Sequence, residues 1–299
     1  MTKKSMFWKE TFWKGLVTAG GYFIILLTLA IGAFLIYRGI GTFTTYGHSV
    51  TEFLFSSEWA PVDYFDGGGK VGAAVYITGS IVTCGLALLI ATPFSLAAAI
   101  FMTEITPKIG TKFFQPIVEI FVGIPSVVYG YLGLTILCPA IKAIFPKSFG
   151  GFSVLAAGIV LAVMIFPTIT SVTADAIRGV HKGYREASYG LGATRWQTIY
   201  KIIIPSAKNG IFTGVILGLA RAFGEALAVA MVIGRMRAFP KNILSPTHNL
   251  TAAIASDIAG SADGGELNIA LWTMALLLFL ISLLFIFLVH YIAGKGGNK

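Results

Sequence analysis

"REASYGLGATRWQTIYKIIIP" (Arg185 to Pro205) is the polar interruption on which the reading of the fold turns. An apolar run precedes it, Ser153 to Thr173, and another follows, Ser206 to Gly234. Each has the length that carries a helix across a bilayer, roughly 20 residues. Inside the interruption, Glu186 to Leu191 can form a short helix, and Gly192 permits a tight turn that a side chain would obstruct. Thr194 to Ile204 can form a second helix that ends at Pro205. The expected unit is a compact helical hairpin parallel to the membrane, offering small residues and a carboxylate to a protein outside the lipid.

Outward from this hairpin the chain is built for lipid. Of 299 residues, 56% are hydrophobic and only 12% charged, with a mean hydropathy of +0.82. A soluble domain carries about a quarter charged residues. Six apolar runs are long enough to span, near Leu16 to Tyr37, Val71 to Met102, Phe114 to Leu137, Ser153 to Thr173, Ser206 to Gly234 and Asn268 to Tyr291. The second and fifth exceed a perpendicular crossing, and tilt or a break at Pro93 would absorb the excess. None shows the alternation of a membrane barrel, so the fold class is an all-α integral membrane protein.

Charge sets the orientation. With the N-terminus inside, 14 of the 22 Lys and Arg residues fall in inside segments and seven outside, Arg221 being the remaining one. The positive-inside rule then places both termini in the cytoplasm. The net charge of +9 follows from these loops and calls for no nucleic acid. The N-terminal "MTKKSMFWKETFWKG" reads as the flank of an uncleaved first span. Phe7, Trp8, Phe12 and Trp13 suit either a short interfacial helix or an aromatic belt.

Chemistry on the chain is sparse. Cys84 and Cys138 sit in apolar context and suggest neither a metal site nor a disulfide, and the four histidines, His48, His181, His248 and His290, lack ligand spacing. "GGGKVG" (67–72) has a lysine after glycines, yet Val71 stands where a P-loop needs a hydroxyl. ATP hydrolysis is therefore not expected of this chain, and no residue set within the runs suits an intramembrane enzyme.

"GLARAFGEAL" (Gly218 to Leu227) places two charges inside the fifth run. On a continuous helix Arg221 and Glu225 share a face with Gly214, Gly218 and Ala228. An intramembrane arginine costs about 2.5 to 3.5 kcal/mol on insertion scales, so it should face protein or a water-filled path beside a partner. Glu225 is the near partner, and the small residues let another helix approach. Two readings stand: a buried clasp that fixes helix packing, or an anion contact, Arg221, restrained by Glu225. Glu119 is a third intramembrane charge that could compete for Arg221. In "GIPSVVYG" (Gly123 to Gly130) Pro125 breaks the helix, and Ser126 and Tyr129 either donate hydrogen bonds to an oxyanion or satisfy the backbone at a kink. The outer loops, 38–70 and 235–267, carry Trp59, Glu52, Glu58, Asp63, Asp66, Asp257, Asp263 and Glu266, which suit either a docked protein or solvent.

The hairpin carries a resemblance. Glu186, Ala187, Ser188, three residues, Gly192, nine residues, Ile202, one residue, Ile204 and Pro205 resemble the EAA loop of ABC importer permeases, with Ser188 for Ala and Ile204 for Leu. "FSSEWAP" (Phe55 to Pro61), "FMTEITP" (Phe101 to Pro107), "VEIFVGIPSVVYGYLGL" (Val118 to Leu134), "LAAGIVLAVMIFPTI" (Leu155 to Ile169) and Pro205 to Gly234 extend the likeness to the phosphate-specific permeases of PstC type. The chain departs from that subfamily at Val75 and Tyr76, where proline is common.

The resemblance implies a type I importer permease in a prokaryotic cytoplasmic membrane, moving inorganic phosphate. It implies partners: a second permease subunit (PstA type), two ATP-binding subunits (PstB type) docking on the hairpin, and an extracytoplasmic phosphate-binding protein (PstS type). It implies no cofactor on this chain, ATP and Mg belonging to the partner ATPase, and a transport role for Arg221 and Glu225. Residues 1–70 would form an interfacial segment, first span and outer loop, and 71–299 a five-helix core with the coupling loop at 175–205. Another oxyanion, such as molybdate or sulfate, and a secondary transporter or channel working alone remain alternatives.

Overall fold

The structure is a computed structural model describing the backbone of residues 3–62 and 67–296, and the side chains of 12–62 and 67–292. Phe7, Trp8, Asp63 and Asp66 lie outside the described side chains. Among the described residues six helices are long and apolar enough to cross a membrane: Phe12–Thr44, Ala74–Ile105, Ser126–Ile144, Val154–Arg178, Arg195–Gly224 and Glu266–Ile292. They are referred to below as the first to sixth spans.

The fourth span is the axis of the bundle. Of its most apolar window 67% is buried, against 6% in the first span. The second and fifth spans pack along it, and the sixth joins the fifth to the first. Glycines set the closest approach of the fourth and fifth: a methyl on Gly218 would stand 2.6 Å from Ile169, and one on Gly210 2.4 Å from Ala176. Three buried clusters stack along the bundle. Phe53, Trp59, Tyr76, Leu250 and Leu271 form one at the end holding the outer loops, Ala91, Ile165, Ala228 and Val232 belong to the middle one, and Ile177, Ile199 and Ile203 to the one beside the hairpin.

Prolines shape the spans in a repeated way. Four π-helical stretches, Phe101–Ile105, Gly110–Phe114, Gly133–Leu137 and Ile199–Ile203, each end two residues before a proline: Pro107, Pro116, Pro139 and Pro205. Proline lacks the donor and clashes with the carbonyl of the preceding turn, and a widened turn accommodates both. The hairpin's second helix therefore does not end at Pro205. It runs from Arg195 through the proline to Gly224.

Two alternatives narrow and one further expectation changes. The second span passes through Pro93 as helix from Ala74 to Ile100, without a break. The N-terminal segment runs as one helix, Lys3–Gly39, into the first span. The fifth run is not continuous to Gly234: the helix stops at Gly224, and a short one, Leu227–Val232, resumes beyond Glu225.

At the end of the bundle away from the 185–205 hairpin, two short strands pair Trp59–Ala60 with Lys70–Val71. Beneath them the Glu266 carboxylate, 1% exposed, accepts from the amides of Val62 (2.7 Å) and Gly69 (3.1 Å) and meets His48 Nε2 at 2.9 Å. Glu266 is thus an internal fastener of the loop and not a surface carboxylate. Three of the cations assigned outside by charge pair with carboxylates of the loops 38–70 and 235–267: Arg38 with Asp263, Lys70 with Glu58 and Arg237 with Asp257.

Candidate functional site

Two interrupted helices meet in the middle of the bundle. Gln115–Gly123 ends at Ile124 and Pro125, both extended (ψ 127° and 139°), before Ser126 starts the third span. The fifth span ends at Glu225, also extended (ψ 118°), before Leu227. The restarted pieces touch, since a methyl on Gly130 would lie 2.8 Å from the Ala228 Cα. Irregular backbone at this depth needs partners within the protein. Tyr129 supplies one: its hydroxyl donates to the Phe121 carbonyl at 2.8 Å, the acceptor four residues before Pro125 that proline cannot serve. Thr251 supplies another, donating to the Glu225 carbonyl at 2.7 Å.

Arg221 lies one turn before the second break. Its Nη1 donates to Thr168 Oγ1 of the fourth span at 2.9 Å, and both residues are half-buried. Glu225, the near partner of Arg221 in both readings of the sequence, does not pair with it. Among the described residues no carboxylate lies within ion-pair distance of Arg221, and Glu225 Oε1 accepts from the amide of Ala228 at 3.0 Å. The reason is the backbone: once Glu225 leaves helical geometry, the four-residue spacing no longer stacks the two side chains, and the carboxylate caps the next helix.

The other predicted positions divide. Ser126 is half-buried at the start of the third span, beside the break. Tyr129 is buried with its proton committed to Phe121, which supports the kink reading of that hydroxyl. Glu119 is exposed and does not join Arg221; it accepts from Gln115 Nε2 (3.0 Å), whose Oε1 accepts from Arg178 (3.0 Å).

The hairpin forms a second, separate site. Its first arm is Lys182–Gly190, its turn carries Gly192 at φ +80°, and its second arm starts at a capping box of Thr194 and Gln197. Ser188 and Thr198 join the arms through their hydroxyls at 2.8 Å. Glu186 and Ala187 face outward, with Tyr184, Leu191, Trp196 and Tyr200 exposed around them. Ile202 and Ile204 are half-buried, and Pro205 is exposed.

Sequence reasoning missed four residues. Thr168 and Thr251 look like ordinary threonines in apolar segments, and only folding brings them to Arg221 and Glu225. Glu104 and Arg185 pair at 2.7 Å, the carboxylate buried and the guanidinium half-buried. Their one advance signal was a lone carboxylate at the end of an apolar run.

Six spans with interrupted helices at their centre and a polar helical hairpin at one end define a multi-span helical membrane protein. Residues 91–295 match the family described as binding-protein-dependent transport system inner membrane component, and the chain belongs to it. A probable ABC transporter permease protein, YqgH, of Bacillus subtilis (strain 168) is 47% identical over 280 residues, covering 94% of this chain and 89% of the relative. The phosphate transport system permease protein PstC of Pasteurella multocida (strain Pm70) is 34% identical, with 93% and 90% covered. In structure the chain is similar to a bacterial alginate ABC transporter solved with its alginate pentasaccharide-bound periplasmic protein, with a TM-score of 0.60, 18% identity and 98% of both chains covered. That likeness concerns the fold. The chain is an ABC importer permease subunit, a membrane component that works with ATPase and substrate-binding partners.

Proposed function

We propose that this chain forms, with a second and similar permease subunit (PstA type), the membrane path of an ATP-driven importer of inorganic phosphate. The observation that carries the reading is Arg221, a cation inside the bundle whose described partner is the neutral Thr168 hydroxyl. Relatives that are phosphate transport permeases over nearly their whole length support it. A guanidinium has five N–H donors in a planar fork suited to phosphate oxygens, and a neutral partner positions it without cancelling its charge. Glu225, bound to its own backbone cap, leaves that charge free while keeping a carboxylate near the path, so that an anion is held loosely enough to leave. Ser126 adds a neutral hydroxyl beside the break.

Two ATP-binding subunits (PstB type) dock on Glu186, Ala187 and the exposed aromatic residues of the hairpin, and hold the ATP and Mg. The outer loops receive a phosphate-binding protein (PstS type) through exposed groups such as Glu58 and Asp263. Both termini face the cytoplasm of a prokaryotic cell, and the chain itself performs no covalent chemistry.

The test is labelled phosphate uptake by vesicles holding the assembled complex, with molybdate and sulfate as competitors. Uptake that requires ATP and resists both competitors is the expected result. Uptake of molybdate or sulfate in preference, or gradient-driven flux from vesicles holding this chain alone, contradicts it.

A further inference from the structure

The hairpin is joined by the chain itself to the fourth and fifth spans, and it is joined to the second span by side chains. Arg185, on its first arm, reaches Glu104 Oε1 with Nε (3.2 Å) and Nη2 (2.7 Å). The same guanidinium donates to the carbonyls of Val180 (2.6 Å) and Ile177 (2.8 Å) at the end of the fourth span. Arg195, on the second arm, donates to the Ile105 carbonyl at 2.9 Å. Glu104 is 9% exposed and sits on the π-helical end of the second span, which is buttressed by Gly110, where a methyl would stand 2.2 Å from the Met102 carbonyl. One guanidinium thus ties one helical arm to the ends of two spans. Separating the pair leaves the buried Glu104 carboxylate without its cation, so the connection resists separation.

We propose that the Glu104–Arg185 pair is the latch through which the hairpin moves the second span, so that a push from the ATPase reaches the second, fourth and fifth spans as one body. The proposal rests on the hairpin being the ATPase contact, and Glu104 and Arg185 are positioning residues that touch no substrate.

The experiment uses the assembled complex in vesicles. ATP hydrolysis and labelled phosphate uptake are measured in parallel, and ATPase retention is followed by affinity purification. Glu104→Gln should keep the ATPase and its hydrolysis while losing most phosphate moved per ATP. In the pair Glu104→Cys and Arg185→Cys, joining the thiols with a flexible bifunctional maleimide should restore that ratio; Cys84 and Cys138 are buried and spared. An unchanged ratio in Glu104→Gln, loss of the ATPase from that variant, or a joined pair that stays uncoupled overturns the latch. The docking reading has its own control, Glu186→Lys: retention of the ATPase there contradicts the docking surface and takes the latch's premise with it, whereas loss of the ATPase there together with an unchanged ratio in Glu104→Gln overturns the latch alone.

Discussion

The Tyr129 hydroxyl is bonded at 2.8 Å to the carbonyl of Phe121, the backbone acceptor that Pro125 leaves without its amide. The helix can therefore break at Pro125 inside the bundle without stranding a polar group. Tyr129→Phe removes the donor and keeps the ring. An acceptor left unpaired away from water costs about 1–3 kcal/mol. Thermal unfolding of the purified complex should show that loss, and unchanged stability would mean the carbonyl finds another donor.

Glu225 caps the helix that begins at Leu227 by accepting from the amide of Ala228. Losing such a cap costs about 0.5–2 kcal/mol. Glu225→Gln retains an acceptor and Glu225→Ala does not, so thermal stability should fall in the order wild type, Gln, Ala. Equal stability of the Gln and Ala variants would place the carboxylate's role elsewhere.

Two histidines outside the spans give the outer end opposite pH dependences. Burial disfavours the His48 cation, but hydrogen bonds to Glu266 and Glu52 outweigh it and raise the pKa above the ordinary value. Its stabilisation is full below the unfolded pKa of about 6.5 and is lost as pH rises through the folded value. Burial pushes His248 down to about 4, and its Nδ1 accepts from the Asn249 amide, so the folded ring is neutral. Its contribution is full above about pH 6.5 and lost as pH falls toward the folded value, about 3 kcal/mol in all. Thermal stability should peak near pH 6.5, and His48→Gln should flatten the alkaline side alone. A profile unchanged by that substitution contradicts the assignment.

Gly192 holds the hairpin turn at φ +80°. A side chain there costs roughly 1–2 kcal/mol, and Asn tolerates the geometry best. Gly192→Ala should weaken ATPase retention on affinity purification more than Gly192→Asn. Equal retention by both would show that the turn's geometry is not what presents the docking surface.

Much of this architecture was legible in the chain. Six spans follow from length and apolarity, and the hairpin from Gly192 between two short periodic segments. Pro205 misled because its usual consequence is a stop, and the widened turn at Ile199–Ile203 absorbs it instead. The break at Glu225 was hidden because no proline marks it; residues 218–227 read well as one helix, and Gly224 was the weak sign. Arg221 was legible as an oddity of charge in an apolar run. Its partner was not, because Thr168 lies 53 residues away and becomes a neighbour only when Gly214 and Gly218 bring the fourth and fifth spans together.

In the proposed function Arg221 meets the passing anion. Labelled phosphate uptake by complexes carrying Arg221→Gln tests it most directly, with assembly checked by co-purification of the partner subunits. The variant should assemble, because the guanidinium's described protein partner is a single neutral hydroxyl. It should lose most phosphate uptake at saturating ATP. An assembled Arg221→Gln complex that imports phosphate at the wild-type rate would contradict the account.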